Sequence, residues 1–252
     1  LTTASSHNTT NMENNTAPAP NANIKIRSGY WSSSSIHKLM TNNKSKDGIG
    51  APGLTYIEEK RLEKKLGRSL QNDVSPRSAS WGTFVQHRVL NTLLGMDYKP
   101  TSDKRFTHPT IINWNGSPDF LRGKSVGDVK CFQLKNFCQT HDAATAGIEV
   151  FKEECPEIYW QLISNAILCD KDKMELVLYV PYKDELSAIR EEAETDGSYE
   201  FQWIKYAKDD ELPYLINGFV YENLSCFTFD IPASDRHALT DRVLMANKIL
   251  FG

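Results

Sequence analysis

Apolar residues recur every three or four positions in several stretches of the chain, which is the spacing of a helix with one buried face. Leu62, Leu66 and Leu70 recur in this way behind a capping-box pattern at 55–58, which predicts a helix whose lysines and arginines face outward. Ser234 is the candidate cap of the last helix. The predicted helices cover about 36–40, 55–71, 81–94, 156–169, 183–195 and 233–250, with a loop at 42–53.

Short apolar runs bounded by turn residues predict five strands, at about 110–114, 126–132, 174–182, 199–206 and 226–231. The order helix, strand, strand, helix, strand favours an α/β (α+β) fold in which helices flank a mixed central β-sheet. Residues 1–24 carry almost no large apolar side chain, so we expect a disordered N-terminal tail there. Residues 25–252 have the length of a single folded domain.

Composition excludes little. The formal net charge of −3 lacks the basic balance of a dedicated DNA-binding domain, although bound cations can supply positive charge to a site that handles phosphates. The basic residues of the 55–71 helix are interpreted as a solvated face, with a surface for a DNA backbone as the alternative. Five cysteines without a Cys-x-x-Cys pair indicate reduced thiols and a cytoplasmic protein. No apolar run reaches the length of a membrane span, so no membrane partner is expected.

Two short segments carry the candidate chemistry. Pro118 restricts the backbone before Asp119, and Asp128 and Lys130 lie two apart in a predicted strand, so their side chains leave the strand on the same face. We hypothesise that two carboxylates and one ammonium meet at a divalent cation that serves phosphodiester cleavage. The alternative is an ordinary cross-strand salt bridge with Asp119 capping a turn, and both interpretations stay open because Glu58-x-Lys60 matches the same acid-x-Lys triplet.

Two glutamines on predicted helices point towards the same region. At 100° per residue, Gln86 lies beside the apolar stripe of its helix, so its amide is expected to face inward. Gln161 follows an apolar helical face and is a candidate to approach the acids, with a solvent-exposed glutamine as the alternative.

The combination Trp81-Gly82, Ser117-Pro118-Asp119, Asp128-Val129-Lys130-Cys131 and Gln161 resembles the PD-(D/E)XK nuclease superfamily, and within it the phage lambda exonuclease and YqaJ-like viral recombinase family. The resemblance extends over about residues 27–180. It implies a restriction-endonuclease-like core, a single nuclease domain over 25–252, and 5′-to-3′ digestion of linear double-stranded DNA during recombination. It further implies a single-strand annealing protein as partner, a homotrimer, and the cytoplasm of a bacterial host cell.

The resemblance also assigns roles to individual residues. Asp119 and Asp128 become metal-binding carboxylates for one or two Mg²⁺ ions, with Mn²⁺ as the alternative, because hard cations prefer oxygen ligands. Gln86 occupies the third metal position. Lys130 positions or activates the attacking water, and Gln161 orients the site.

The family holds the 5′-terminal phosphate with an arginine and serines, which correspond here to Arg27, Ser34 and Ser117. Ser34 is expected near a helix N-terminus, where unpaired N–H groups attract anions. The alternative is that Ser34 is only a helix cap and Arg27 only a surface residue.

One position departs from the family pattern. Where the family has a glutamate, this chain has Gln86, and a neutral amide is a weaker ligand for a hard cation. Two outcomes are open: a second metal binds less tightly, or His87 or a carboxylate such as Glu154 or Glu157 substitutes for the acid. The alternative function is therefore a weakened or inactive DNA-binding or assembly module of the same fold, and a further alternative is an endonuclease.

Overall fold

The computed structural model describes residues 28–44, 48–70, 76–101 and 104–252. The expected tail at 1–24 and the candidate residue Arg27 lie outside the described residues. The helices are α1 (Ala51–Leu66), α2 (Arg77–Arg88), α3 (Leu134–Ala146), α4 (Ile148–Glu154), α5 (Pro156–Leu168), α6 (Leu186–Asp196), α7 (Gln202–Tyr206) and α8 (Ala233–Phe251). The strands are β1 (Trp31–Ser32), β2 (Lys99–Pro100), β3 (Phe106–Thr107), β4 (Trp114–Gly116), β5 (Phe120–Arg122), β6 (Ser125–Lys130), β7 (Lys173–Tyr179) and β8 (Leu224–Asp230).

Short 3₁₀ helices lie at Ser33–Met40, Lys183–Glu185 and Asp209–Glu211, and a π-helical turn at Val89–Leu93 continues α2. The larger sheet has the strand order β2-β5-β6-β7-β8, in which β6 and β7 are parallel and the other neighbours are antiparallel. A second sheet has the order β1-β4-β3. The predicted mixed β-sheet flanked by helices is therefore confirmed.

Each face of the larger sheet is covered by its own hydrophobic cluster. Leu176 and Leu178 of β7 pack into the cluster that includes α5 and α8, whereas Val177 packs into the one that includes α2 and α6. Val129 of β6 joins the α2 side, so its neighbours Asp128 and Lys130 lie on the α5 side. The alternation of the strand thus delivers an acid and a lysine to one face.

The prediction that Leu62, Leu66 and Leu70 form the buried stripe of the 55–71 helix is wrong. Helix α1 begins at Ala51, within the predicted 42–53 loop, because Pro52 fits its first turn, and it ends at Gly67, which has a left-handed φ of 65°. Leu62, Leu66 and Leu70 are 40%, 54% and 41% exposed. The face that turns inward instead carries Gly53, Tyr56, Ile57, Lys60 and Glu63.

Three further local predictions differ from the structure. The predicted strand at 199–206 is a turn followed by α7, because a short apolar run does not distinguish strand from helix. The predicted strand at 110–114 begins only at Trp114, since His108 Nδ1 accepts hydrogen bonds from the N–H groups of Thr110 and Ile111 and bends the chain. The last helix is capped by Pro232 rather than Ser234.

Helices α3 and α4 were not predicted at all, while the predictions for β6, β7, β8 and α5 are confirmed to within about three residues at each end. Among the described residues, no helix is both long enough and apolar enough to cross a membrane.

Candidate active site

Asp119, just before β5, is held by backbone hydrogen bonds to the segments on either side of that strand. Its N–H donates to the carbonyl of Gly127 at 3.0 Å, and its own carbonyl accepts from the N–H of Thr101 at 2.9 Å. Its carboxylate Oδ2 accepts the N–H of Val129 at 2.7 Å. The acid after Pro118 is thereby tied to the residue between Asp128 and Lys130.

Asp128 is almost fully buried, with 1% of the residue exposed. Its Oδ1 accepts a hydrogen bond from Asn165 Nδ2 at 3.2 Å. Its Oδ2 accepts no hydrogen bond from any residue that the structure describes, and Lys130 Nζ lies 3.6 Å away. Lys130 Nζ donates to Gln161 Oε1 at 3.1 Å. Because Gln161 and Asn165 are one turn apart on α5, a single helix face supports the acid and the lysine.

Close packing next to Asn165 explains why position 116 in β4 is a glycine. A Cβ atom at this position would lie 2.5 Å from Asn165 Oδ1 and 2.1 Å from Ser33 Oγ. A side chain here would displace the amide that supports Asp128, so the site requires glycine.

Gln86 approaches the same site from α2 and favours the charged form of the Asp119 carboxylate, which lowers its pKa. Burial first, and then the negative charge of Asp128, raise the pKa of Asp119 to about 7. Lys130, the N–H of Val129 and the Gln86 amide act on the pKa of Asp119 in the opposite direction. An acid whose pKa is raised by burial and by a neighbouring carboxylate is a common feature of functional sites.

The donor set fits a hard divalent cation. Buried polar atoms are normally hydrogen-bonded, so the unpartnered Oδ2 of Asp128 among the described residues is an oxygen suited to a ligand. However, the described part of the chain contains no group of three or more His, Cys, Asp or Glu side chains that could hold a metal. Glu154 and Glu157 line a cavity that also contains Lys130, and Glu157 Oε1 lies 3.2 Å from His37 Nε2. That His87, Glu154 or Glu157 replaces the missing acid stays a prediction.

A polar cavity of about 230 Å³ is bordered by Gln161 and contains two of the three residues predicted for phosphate binding, Ser34 and Ser117. Ser34 lies within the 3₁₀ helix, whose N-cap is Ser32. Two cationic side chains that the sequence reasoning did not predict also line the cavity, Lys60 and Arg105. The full lining comprises Tyr30, Ser32, Ser33, Ser34, Lys60, Ser69, Arg105, Asn115, Gly116, Ser117 and Gln161.

Lys60 is buried in this wall because the surrounding groups satisfy it. Its Nζ donates to Glu63 Oε2 at 2.8 Å and lies 5.2 Å from the centre of the Tyr56 ring. Glu63 also accepts the N–H of Gly29 at 2.9 Å. The i,i+3 spacing of Lys60 and Glu63 was a sequence signal for this pair, although the same spacing is common on exposed helices.

Gln161 also borders a second, larger cavity of about 640 Å³ that contains Lys130. The Oε1 atom of Gln161 accepts from Lys130, so one side chain lies between the serine-rich cavity and the acid-lysine pair.

Solved structures with the same architecture are exonucleases. A phage-related exonuclease from Haemophilus somnus 129PT has a TM-score of 0.60 and 14% identity over 88% of this chain and 93% of that chain. The alkaline exonuclease LHK-Exo from Laribacter hongkongensis has a TM-score of 0.53 and 15% identity over 90% and 92% of the two chains. LHK-Exo in complex with dAMP has a TM-score of 0.54 at the same identity and coverage.

The chain has an exonuclease-type fold. At these low identities the likeness shows a shared fold and nothing more. It confirms the expected α/β architecture with its mixed sheet. No protein-family model matches the sequence, and no curated protein matches it.

Proposed function

We propose that the protein is a metal-dependent exonuclease that hydrolyses phosphodiester bonds of linear double-stranded DNA, starting from 5′-phosphorylated ends and proceeding 5′-to-3′. The observation that carries this proposal is the adjacency of two sites. The serine-rich cavity with Lys60 and Arg105 suits a terminal phosphate, and it shares Gln161 with the pair Asp128 and Lys130. The exonuclease-type fold supports the same reading.

Each residue of the site would have a separate role in the reaction. Asp119 and Asp128 would hold Mg²⁺ or Mn²⁺, which when bound offsets the negative charge that develops on the scissile phosphate. Lys130 Nζ, which donates to Gln161 and lies 3.6 Å from Asp128, would hold the attacking water. Ser34, Ser117 and Lys60 would anchor the terminal phosphate, so that the first internucleotide bond reaches Lys130.

The decisive experiment is digestion of linear duplex DNA with and without Mg²⁺. We expect cleavage that requires the metal, prefers 5′-phosphate over 5′-hydroxyl ends, and is lost in Lys130→Ala. Lys173→Ala is the matched control, because Lys173 lies at the opposite end of the β6–β7 pair and contacts Asp230. Equal digestion by the Lys130→Ala variant, or no digestion of DNA with any divalent metal, would remove the enzymatic assignment.

A second candidate is a DNA-binding or assembly module with little or no catalytic activity, and Gln86 in place of an acid is the observation that favours it. Gln86→Glu separates the two functions. A large gain in cleavage indicates a weakened enzyme, whereas binding of duplex without cleavage in either form indicates the module. Cleavage of covalently closed circles would indicate an endonuclease instead. The annealing-protein partner, the homotrimer and the bacterial cytoplasm stay predictions from the resemblance.

A further inference from the structure

We infer that an aromatic platform formed by Tyr199, Trp203 and Tyr206 binds unpaired bases of single-stranded DNA by stacking. The inference goes beyond the proposed function, which leaves this surface without a role, and rests on that function only for the source of the strand. Digestion of one strand of a duplex leaves the other strand unpaired, and an unpaired strand is the ligand that this platform would take.

The three aromatic side chains line an open cavity of about 630 Å³ beside α7. Tyr199 is 91% and Tyr206 is 74% exposed, and Trp203 is half-buried. Large aromatic rings are normally buried, so a cluster of them that faces solvent at one cavity indicates a surface for a ligand. Flat rings suit nucleobases, because every base presents a π-face on which a ring can stack.

The Trp203 ring is fixed by the protein itself. Its Nε1 donates to Ser80 Oγ at 3.0 Å, and the guanidinium carbon of Arg77 lies 5.4 Å from the centre of the ring. Ser80 is buried, and its Oγ donates to the carbonyl of Arg77 at 3.1 Å. A ring that is already held in place loses little conformational entropy on binding, so more of its stacking energy contributes to affinity.

The charges at this cavity favour bases over phosphates as the recognised groups. The lining includes one cation and one anion, Arg77 and Glu200, whose charges offset each other. Lys205, on the same helix as Trp203, lies 2.6 Å from Glu194 and is paired with it. A groove that follows the phosphate backbone carries an excess of cations. Recognition at the platform therefore rests on the rings, and stacking on rings tolerates any base sequence.

The platform is connected to the acid-lysine pair through α2. Ser80, which holds Trp203, lies two residues before Gly82, and a Cβ atom at Gly82 would lie 3.4 Å from the carbonyl oxygen of Cys131. Two residues of helix span only about 3 Å. Cys131 directly follows Lys130 at the end of β6. The platform thus lies near that end of β6, on the face of the sheet opposite Lys130, where a strand released past β6 would come within its reach.

The test is the intrinsic tryptophan fluorescence of the full chain in EDTA, so that no divalent metal supports cleavage. Four of the five tryptophans, Trp31, Trp81, Trp114 and Trp160, are buried, so a stacked base would quench Trp203. The probes are a single-stranded oligothymidylate, an abasic strand of the same length and a blunt duplex of that length. We expect quenching by the oligothymidylate alone, and its disappearance in Trp203→Phe.

The affinity of the oligothymidylate should fall roughly 10–100-fold in the double variant Tyr199→Ala with Tyr206→Ala, the loss expected when stacked rings are removed. Both tyrosines are exposed, so the variant should fold, and thermal unfolding checks that it does. Phe219→Ala is the matched control, because Phe219 is a 76% exposed aromatic residue at a different cavity. Its affinity for the oligothymidylate should equal that of the wild-type protein.

No quenching by the oligothymidylate, or equal quenching by the abasic strand or the duplex, would overturn the inference. It would also be overturned by an unchanged affinity in the folded double variant, by an equal loss in Phe219→Ala, or by quenching that persists in Trp203→Phe. These measurements do not involve cleavage. Quenching of Trp203 in a protein that digests no DNA would remove the proposed function and leave this inference intact, whereas digestion without quenching would do the reverse.

Discussion

Two buried aspartates, one on β6 and one on α8, differ in how far the protein itself satisfies their carboxylate oxygens. Asp128 on β6 and Asp235 on α8 are 1% and 6% exposed. Asp235 accepts two hydrogen bonds of 2.8 Å from Lys152 Nζ and one of 2.5 Å from Tyr159. Asp128 accepts one of 3.2 Å from Asn165, and its other oxygen accepts none from the described residues.

The two acids differ in whether a carboxylate oxygen remains for a ligand. The protein itself saturates Asp235, which joins α8 to α4 and α5 and leaves no oxygen free for a ligand. One oxygen of Asp128 lies beside Lys130 and accepts no hydrogen bond from the described residues, so the buried negative charge is only partly compensated. Burial alone therefore does not distinguish the two acids, whereas the count of satisfied oxygens does.

The largest expected effect is on catalysis at Asp128. In Asp128→Asn we expect digestion of linear duplex to fall by at least about 10²–10³-fold, because the carboxylate charge at the reacting centre is lost. Stability should stay the same or rise, since the variant removes a buried charge with an unsatisfied oxygen. Rates on linear duplex and the midpoint of thermal unfolding check both parts. A variant that loses activity only because it unfolds would contradict the contrast with Asp235.

The reverse pattern is expected at Asp235. Asp235→Ala should lower the free energy of unfolding by roughly 3 kcal/mol, the low end for breaking a buried pair, because Lys152 keeps some access to solvent. The rate of digestion should remain that of the wild-type protein at a temperature where the variant is folded. Urea unfolding and the cleavage assay provide the two numbers. A large loss of activity in the folded variant would show that the saturated acid also serves the site.

Lys60 and Glu63 lie between these two cases, because Glu63 is saturated while Lys60 also faces the serine-rich cavity. In Lys60→Met the preference for 5′-phosphorylated over 5′-hydroxyl ends should fall by roughly 10–100-fold, which corresponds to one charge-assisted hydrogen bond. Lys65→Met is the control, since Lys65 is exposed on the same helix. An unchanged preference in Lys60→Met would make Lys60 purely structural.

The smallest expected effect is a change in the acid stability of the protein. Burial alone would raise the pKa of Glu63, but hydrogen bonds from Lys60, Gly29 and Leu70 more than reverse this, so the pKa is lowered overall. A lowered pKa in the folded state contributes stability above the ordinary value near 4.5, and that contribution is lost as the pH falls through the folded value. Glu63→Gln should therefore destabilise the protein at pH 7 and flatten its loss of stability below about pH 5. Parallel urea titrations at several pH values would show whether the two curves converge in acid.

The local sequence pattern was sufficient to predict elements that are long and have a strongly apolar face. The apolar run at 176–179 in β7 and the apolar face of α5 behind Pro156 predicted the types of these elements and their approximate ends. Pattern was insufficient where packing set the orientation. In α1 the leucine spacing was helical, but the helix is rotated so that Lys60 and Glu63 face inward. Gly29, from a distant segment, donates its N–H to Glu63, and Tyr56 of the same helix lies beside Lys60.

The sequence by itself determined which residue types the site contains and that Asp128 and Lys130 share a face, because the period of a strand is a local property of the backbone. Tertiary packing brings Asp119 against the N–H of Val129 in β6, brings Gln86 near the Asp119 carboxylate, and brings Lys60 and Arg105 into the wall of the neighbouring cavity. Those contacts join segments distant in the chain, and their geometry depends on how α1, α2 and α5 pack around the sheet. No periodicity along the sequence encodes that packing, since it results from the simultaneous burial of many side chains.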